Sequence, residues 1–122
     1  MATWLGIGIG GFLGAMSRYG LTRLAQQTLG GTWPYGTWMV NLLGSFLLAA
    51  LAAWLVRYPH SLQPVLVKAL SVGFLGSFTT MSTFIMETHM FWSSGNYAKA
   101  AGYGVATLFA CLLGAAAGYK WI

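Results

Sequence analysis

Apolar residues run along this chain in four long stretches, at about 4–24, 38–56, 65–92 and 97–121, separated by short clusters of turn-forming and polar positions. A helix needs roughly 20 apolar residues to cross hydrocarbon. Three stretches have about that length, and the third is too long for one simple span. Inside it, Gly73 and Gly76 are followed by the hydroxyls of Thr79, Thr80, Ser82 and Thr83. Glycine lets a helix unwind, so the pattern predicts two half-helices with an unwound joint near 73–80. Irregular backbone at membrane depth is tolerated only where it is buried in protein or lines an aqueous path. Unwinding frees carbonyl oxygens for a cation, and the hydroxyls can donate to an anion. The expected fold is an all-α integral membrane protein, a single transmembrane domain over residues 1–122 with four helices and the third one broken.

The connecting positions agree with this reading. Gly6, Gly10 and Gly14 recur every four residues, a spacing that lets helices approach closely in lipid, and Gly114 and Gly118 repeat it in the last span. Gly6, Gly8 and Gly11 also match a dinucleotide-binding spacing, but no strand precedes them and no ribose-binding acid follows. Arg18, Tyr19 and Arg23 close the first span at a headgroup region. Residues 26–36 read as a loop, with Gly30, Gly31, Pro34 and Gly36 as turn formers and Trp33, Tyr35 and Trp38 as an interfacial belt. Arg57, Tyr58, Pro59, His60 and Pro64 form the next turn, and 93–96 the last. Tyr119 and Trp121 anchor the end of the fourth span.

Composition narrows the class. The chain is 57% hydrophobic and 6% charged, with mean hydropathy +0.68, whereas a soluble domain carries about 25% charged residues. The net charge of +5 comes from six basic residues and one acid. No basic cluster exists to bind nucleic acid, so an anionic solute or lipid is the expected partner. One cysteine, Cys111, allows no internal disulfide, and no basic residue precedes the first apolar run as a secretory leader would require. Across four crossings, Arg57, Lys68 and Lys120 fall on one membrane side and Arg18, Arg23 and Lys99 on the other. Lys/Arg asymmetry normally sets orientation. Its lack here predicts insertion both ways up and an antiparallel homodimer with its two-fold axis in the membrane plane.

Several residues carry candidate chemistry. Asn41 places an amide within an apolar helix, with Ser45 one turn on. It reads equally as an interhelical hydrogen bond or as a donor to a permeating anion. Four hydroxyls in five residues after a helix break favour a polar track over local capping. Met81 and Phe84 share a helical face; only Phe84 offers the positive ring edge that can face an anion, while Met81 offers a polarisable thioether. The carbonyls of Gly76 and Thr79 bracket the joint and could form half of a cation cage that a second copy completes. Glu87, the only acid, reads more readily as a paired or capping carboxylate than as a proton-coupling one. His89 does not face it on a helix. No nucleophile–base pair points to an enzyme.

These residues resemble the small bacterial fluoride channels of the Fluc (CrcB) family. The resemblance rests on Gly10-Gly11-Phe12-Leu13-Gly14-Ala15-Met16-Ser17-Arg18-Tyr19 and on Tyr35-Gly36-Thr37 with Asn41-Leu42-Leu43-Gly44-Ser45-Phe46. It rests most specifically on Gly73-Phe74-Leu75-Gly76 with Thr79-Thr80-Met81-Ser82-Thr83-Phe84 and Glu87. It implies a passive fluoride channel of the bacterial cytoplasmic (inner) membrane. It further implies a dual-topology antiparallel homodimer with two pores and a structural sodium ion at its centre. The sodium ligands would be the Gly76 and Thr79 carbonyls. The pore would use Asn41, Met81, Ser82, Thr83 and Phe84, with Arg18 and Glu87 in vestibule or structural roles. The sequence departs at Met81, where the family usually has Phe. Cys111 and Ala115 stand where relatives often carry hydroxyls, which implies a shorter polar track on the fourth helix. One rival is a small proton-coupled multidrug or cation exporter. It needs a carboxylate in the first helix, and here only Glu87 is available. The other is a non-conducting membrane subunit.

Overall fold

The computed structural model describes residues 1–122 and is helical almost throughout. Helix α1 spans Ala2–Leu29 and α2 spans Tyr35–Arg57. The third span begins at Pro64, the fixed φ of which suits a first helical position. Residues 64–78, here α3, comprise an α-turn at Pro64–Lys68, a π-helical stretch at Ala69–Leu75 and a last turn at Gly76–Phe78. Helix α4 is Met81–Ser93, and α5 is Tyr97–Trp121, capped by the Asn96 side chain, which accepts from Lys99 N–H at 3.3 Å.

Two boundaries differ from the sequence expectation. Helix α1 continues through the polar residues Gln26 and Gln27 to Leu29 and stops at Gly30, with φ +83°. The first loop is thus only residues 30–34, because polar side chains do not end a helix but a left-handed glycine does. Between α3 and α4 the backbone leaves the helix at Thr79 (φ −87°, ψ 160°) and Thr80 (φ −151°, ψ 120°), and not at the glycines. Gly76 keeps helical angles (φ −63°, ψ −32°). Gly73 lies in the π-helical stretch, where its missing Cβ serves packing: a Cβ there would stand 2.7 Å from the Ile7 carbonyl oxygen.

The glycine stripe of α1 has the same purpose. A Cβ on Gly10 would meet the Ala69 carbonyl oxygen at 2.3 Å, and one on Gly14 would meet that of Phe74 at 2.2 Å. Backbone thus lies against backbone where α1 crosses α3. Helices α2 and α5 form the other close pair, with Gly118 against the Phe46 carbonyl oxygen at 2.1 Å and Gly114 against Leu42. Gly8, the middle glycine of the dinucleotide-like spacing, has nothing within 4 Å.

Only 16 of 122 residues are buried, and large apolar side chains face outward everywhere, such as Trp4 at 79% and Leu113 at 68% exposure. A soluble monomer rarely exposes contiguous apolar surface on this scale; lipid or a partner must cover it. Tyr35–Arg57, Pro64–Ser93 and Tyr97–Trp121 are long and apolar enough to cross a membrane, with mean hydropathies of 2.1, 1.4 and 1.7. Helix α1, of 28 residues, packs alongside them as the fourth.

Candidate functional site

The extended pair Thr79–Thr80 sets the geometry of the site. Such a break exposes peptide groups that a helix would pair. Asn41 of α2 answers it: its Nδ2 donates to the Thr80 carbonyl at 2.9 Å, and the Thr80 N–H donates to its Oδ1 at 2.8 Å. One side-chain amide thus pairs with both main-chain polar groups of Thr80, one from each of the two peptide units that flank it, and ties α2 to the break. Gly44, one turn along α2, makes room for this, since a Cβ there would stand 2.1 Å from Thr79 Cγ2. The Arg18 Nε donates to the Ser77 carbonyl at 3.0 Å, at the end of α3. That places Arg18 half-buried against the break and not in a headgroup loop, because a helix end with unpaired carbonyls attracts a cation.

Thr80 also caps α4. Its Oγ1 accepts from the Thr83 N–H at 3.3 Å and donates to the Thr83 hydroxyl at 3.2 Å. The Thr79 hydroxyl bonds back to the Leu75 carbonyl at 3.0 Å. Two of the four clustered hydroxyls therefore have local work, as isolated Ser and Thr usually do. The Thr79 carbonyl lies outside both helices and receives none of the chain's turn or cap hydrogen bonds.

Two sets of clefts meet at this break. The first, of about 320 Å³, is lined by Asn41, Gly76, Thr79, Met81 and Phe84 together with Ser45, Thr107 and Cys111. Most of the residues singled out in the sequence therefore converge here. Within it Met81 is 66% exposed and Phe84 only 7%, although they sit one turn apart. On the other side of Thr80 a small cleft of about 160 Å³ holds Arg18, Thr37, Thr80 and Thr83. A larger one of about 420 Å³ holds Thr37, Thr83 and Glu87. Glu87 accepts a hydrogen bond from the Thr37 hydroxyl. Ser82 is exposed and lines none of these clefts; its hydroxyl lies 3.4 Å from that of Thr80.

A stripe on α5 completes the site; Thr107 and Cys111 were legible in the sequence as the weakly polar members of the fourth span, and Tyr103 was missed. Tyr103, Thr107 and Cys111 are spaced by four and so share one helical face. Tyr103 is fully buried, with its ring 5.2 Å from Phe84, 5.3 Å from Trp33 and 5.9 Å from Phe91. Its hydroxyl lies beside Thr37 and Glu87, yet it and the Thr107 hydroxyl make no hydrogen bond within the chain. Buried polar groups are normally paired; Thr107 lines the cleft at the break, so its hydroxyl is the one this face offers there, while Tyr103 lines none of these clefts and packs against Thr37 and Glu87. The signal was visible as one phenol and one threonine at helical spacing in an apolar span. Lys99, at the start of α5, donates to the Thr32 carbonyl and lies 4.7 Å from the Phe91 ring centre.

The fold and site together define a multi-pass helical membrane protein with polar clefts that meet at a break in one span. Comparison with known proteins makes the class specific. The family model for CrcB-like proteins, described as camphor resistance (CrcB), matches residues 5–119, and the chain belongs to that family. It is 41% identical to the fluoride-specific ion channel FluC of Sorangium cellulosum (strain So ce56), over 93% of this chain and 88% of that protein. It is 40% identical to fluoride-specific ion channel FluC 2 of Geobacillus kaustophilus (strain HTA426), over 95% and 89%. It is 38% identical to the FluC of Hahella chejuensis (strain KCTC 2396), over 92% and 87%. These relatives are named as channels and not as enzymes.

Proposed function

We propose that this protein is a passive, fluoride-selective channel that lets cytoplasmic fluoride leave down its gradient. The observation that carries the reading is the cleft at the break, where Asn41, Phe84, Thr107 and Cys111 converge, in a chain about 40% identical along most of its length to proteins named fluoride channels. Fluoride is small and strongly hydrated, so a pore must replace its water with many donors. Here those donors are neutral: the remaining N–H of Asn41, the hydroxyls of Ser45, Thr83 and Thr107, and the edge of Phe84. Neutral donors dehydrate an anion without trapping it, which conduction through multiple weak sites requires. Arg18, the one cation at this depth, is committed to the Ser77 carbonyl. Ser82 was expected in the pore; its outward position favours a role at a surface between two copies.

The assembly we infer is an antiparallel homodimer of dual topology with two pores, in a bacterial cytoplasmic membrane. The near balance of basic residues supports it: three against three, or three against two when Arg18 is set aside as part of the break. Helix α3 ends at Phe78, and the last carbonyls of a helix have no intrahelical partner. The free Thr79 carbonyl and the Gly76 carbonyl in this last turn suit a hard cation, which takes oxygen ligands. Two copies of Gly76 and Thr79 would hold a structural sodium ion at the dimer centre. Its charge would fasten the two breaks together and take no part in conduction.

Fluoride efflux from liposomes carrying the purified protein, with chloride and drug-cation controls, tests the function. Valinomycin-dependent fluoride efflux with no chloride efflux is expected. Proton-driven cation export from folded protein that passes no fluoride would overturn the reading and make Glu87 the residue of interest.

A further inference from the structure

Two sulfur-bearing side chains line the cleft at the break, and neither serves among the donors to fluoride. Met81, in the first turn of α4, is exposed within it, and the part-exposed thiol of Cys111 borders it from α5. Helices α4 and α5 are joined by the short turn 94–96 and run antiparallel. The Phe84 ring against Tyr103 fixes their register. From that level Met81 lies about 4.5 Å along the axis and Cys111 about 12 Å in the same direction. A helical Cα–Cβ bond leans toward the N-terminus of its own helix. In this antiparallel pair Met81 and Cys111 therefore lean toward each other. The step of about 7 Å left between their levels is within reach of a flexible thioether stem and a bridging ion. Between those levels stands Thr107, 4% exposed, with no partner for its hydroxyl. A buried hydroxyl normally has one, so this part of the cleft is shaped for a guest.

The plain reading is that Met81 fills space and Cys111 acts as a small apolar residue. That reading leaves unexplained a thiol, a thioether and an unpaired hydroxyl around one opening. Their chemistry is selective. Thiolate and thioether are soft ligands that favour monovalent copper, and its analogue silver, over magnesium, calcium or sodium. No His or carboxylate lines this cleft, and no group of three His, Cys, Asp or Glu side chains gathers elsewhere to compete for the ion. Both sulfurs belong to one chain, so the site needs no second copy. A coordinating thiol gives up its proton outright. The Cys111 S–H bond breaks, a sulfur–metal bond forms, and the proton passes to water. The metal keeps its single positive charge, so no oxidant or reductant enters.

We propose that Met81 and Cys111 form a site for a soft monovalent metal ion, Cu⁺ or its redox-inert analogue Ag⁺, and that the bound ion plugs the cleft. The plug rests on the channel reading; the binding does not. The probe is silver nitrate in chloride-free buffer, because chloride precipitates silver. The full-length protein in detergent is loaded, desalted and weighed intact by mass spectrometry. Wild type is expected to retain a single silver ion per chain, and Cys111→Ser and Cys111→Ala to retain none. Met81→Leu is expected to bind silver roughly ten-fold or more weakly, since losing even an outer partner of a metal site costs that much. Met86→Leu and Met90→Leu, elsewhere on α4, are expected to leave retention unchanged. No silver on wild type, or silver that survives both Cys111 substitutions, would overturn the site. Unchanged affinity in Met81→Leu would reduce it to a lone thiol and overturn it too. In liposomes, silver at saturating concentration is expected to stop fluoride efflux through wild type, and thiosulfate to restore it. Cys111→Ser is expected to keep its own silver-free rate. Unhindered efflux through silver-loaded wild type would overturn the plug. A protein that passes no fluoride before silver is added fails the channel reading instead, and silver retention still decides the site.

Discussion

Asn41 pairs with both the N–H and the carbonyl of Thr80, so truncating it removes two hydrogen bonds and leaves a half-buried donor and a half-buried acceptor without partners. Each such orphan costs about 1–3 kcal/mol. Asn41→Ala is therefore expected to lower stability by about 2–4 kcal/mol, measurable by denaturant unfolding in detergent, and to abolish fluoride flux in the fraction that still assembles. Full flux from assembled Asn41→Ala would remove Asn41 from the path and leave it a scaffold residue. Met81 stands at a different kind of position. It is exposed within the cleft, so a larger ring there meets no packed neighbour that must move. Met81→Phe is expected to keep or raise the efflux rate, because it adds a second positive ring edge beside Phe84. An assembled but silent Met81→Phe protein would argue that the thioether itself is needed.

The glycines show how much an element can owe to what a residue lacks. Gly14→Ala would drive a Cβ into the Phe74 carbonyl, and neither helix can yield without separating. Overpacking of this kind costs about 1–3 kcal/mol. Gly8→Ala meets nothing and replaces a poor helix former with a good one, a gain of up to about 1 kcal/mol. Opposite shifts in thermal midpoint for the two variants, by fluorescence-detected unfolding in detergent, are the expected result. Equal losses in both would mean that the outer face of α1 is also packed, against a second copy. The spacing of Gly6, Gly10 and Gly14 made this crossing legible in the sequence. The place of the break was less legible. Glycine permits unwinding but does not require it, and Gly73 and Gly76 stay helical. The chain opens at Thr79 and Thr80, where Asn41 supplies the missing partners from another helix and Thr80 caps the next one.

At the scale of the whole molecule, the proposed dimer makes a prediction about salt. If sodium bridges the Gly76 and Thr79 carbonyls of two copies, the dimer should melt several degrees higher in sodium than in a large organic cation at equal ionic strength. The carbonyls would otherwise face one another unshielded. Equal melting in both would count against the site, while leaving the channel reading to the efflux assay.

What the sequence by itself determined is what one-dimensional patterning controls. Hydrophobic runs long enough for a bilayer dictate helices, because each backbone group in lipid must pair within its own segment. Recurrent glycines dictate which helix faces come close, and motif residues in order and spacing identify the family. Tertiary structure alone decided where donors meet. Asn41 and Thr80 are 39 positions apart, and only the approach of α2 to the break pairs them. Helical spacing gathers Tyr103, Thr107 and Cys111 on one face, but only the packing of α5 against α4 turns that face toward Phe84. The same packing sends Ser82 outward while its neighbours line the clefts. Side-chain direction at a helix break depends on two dihedral pairs that the surrounding helices impose, and local sequence holds no record of them.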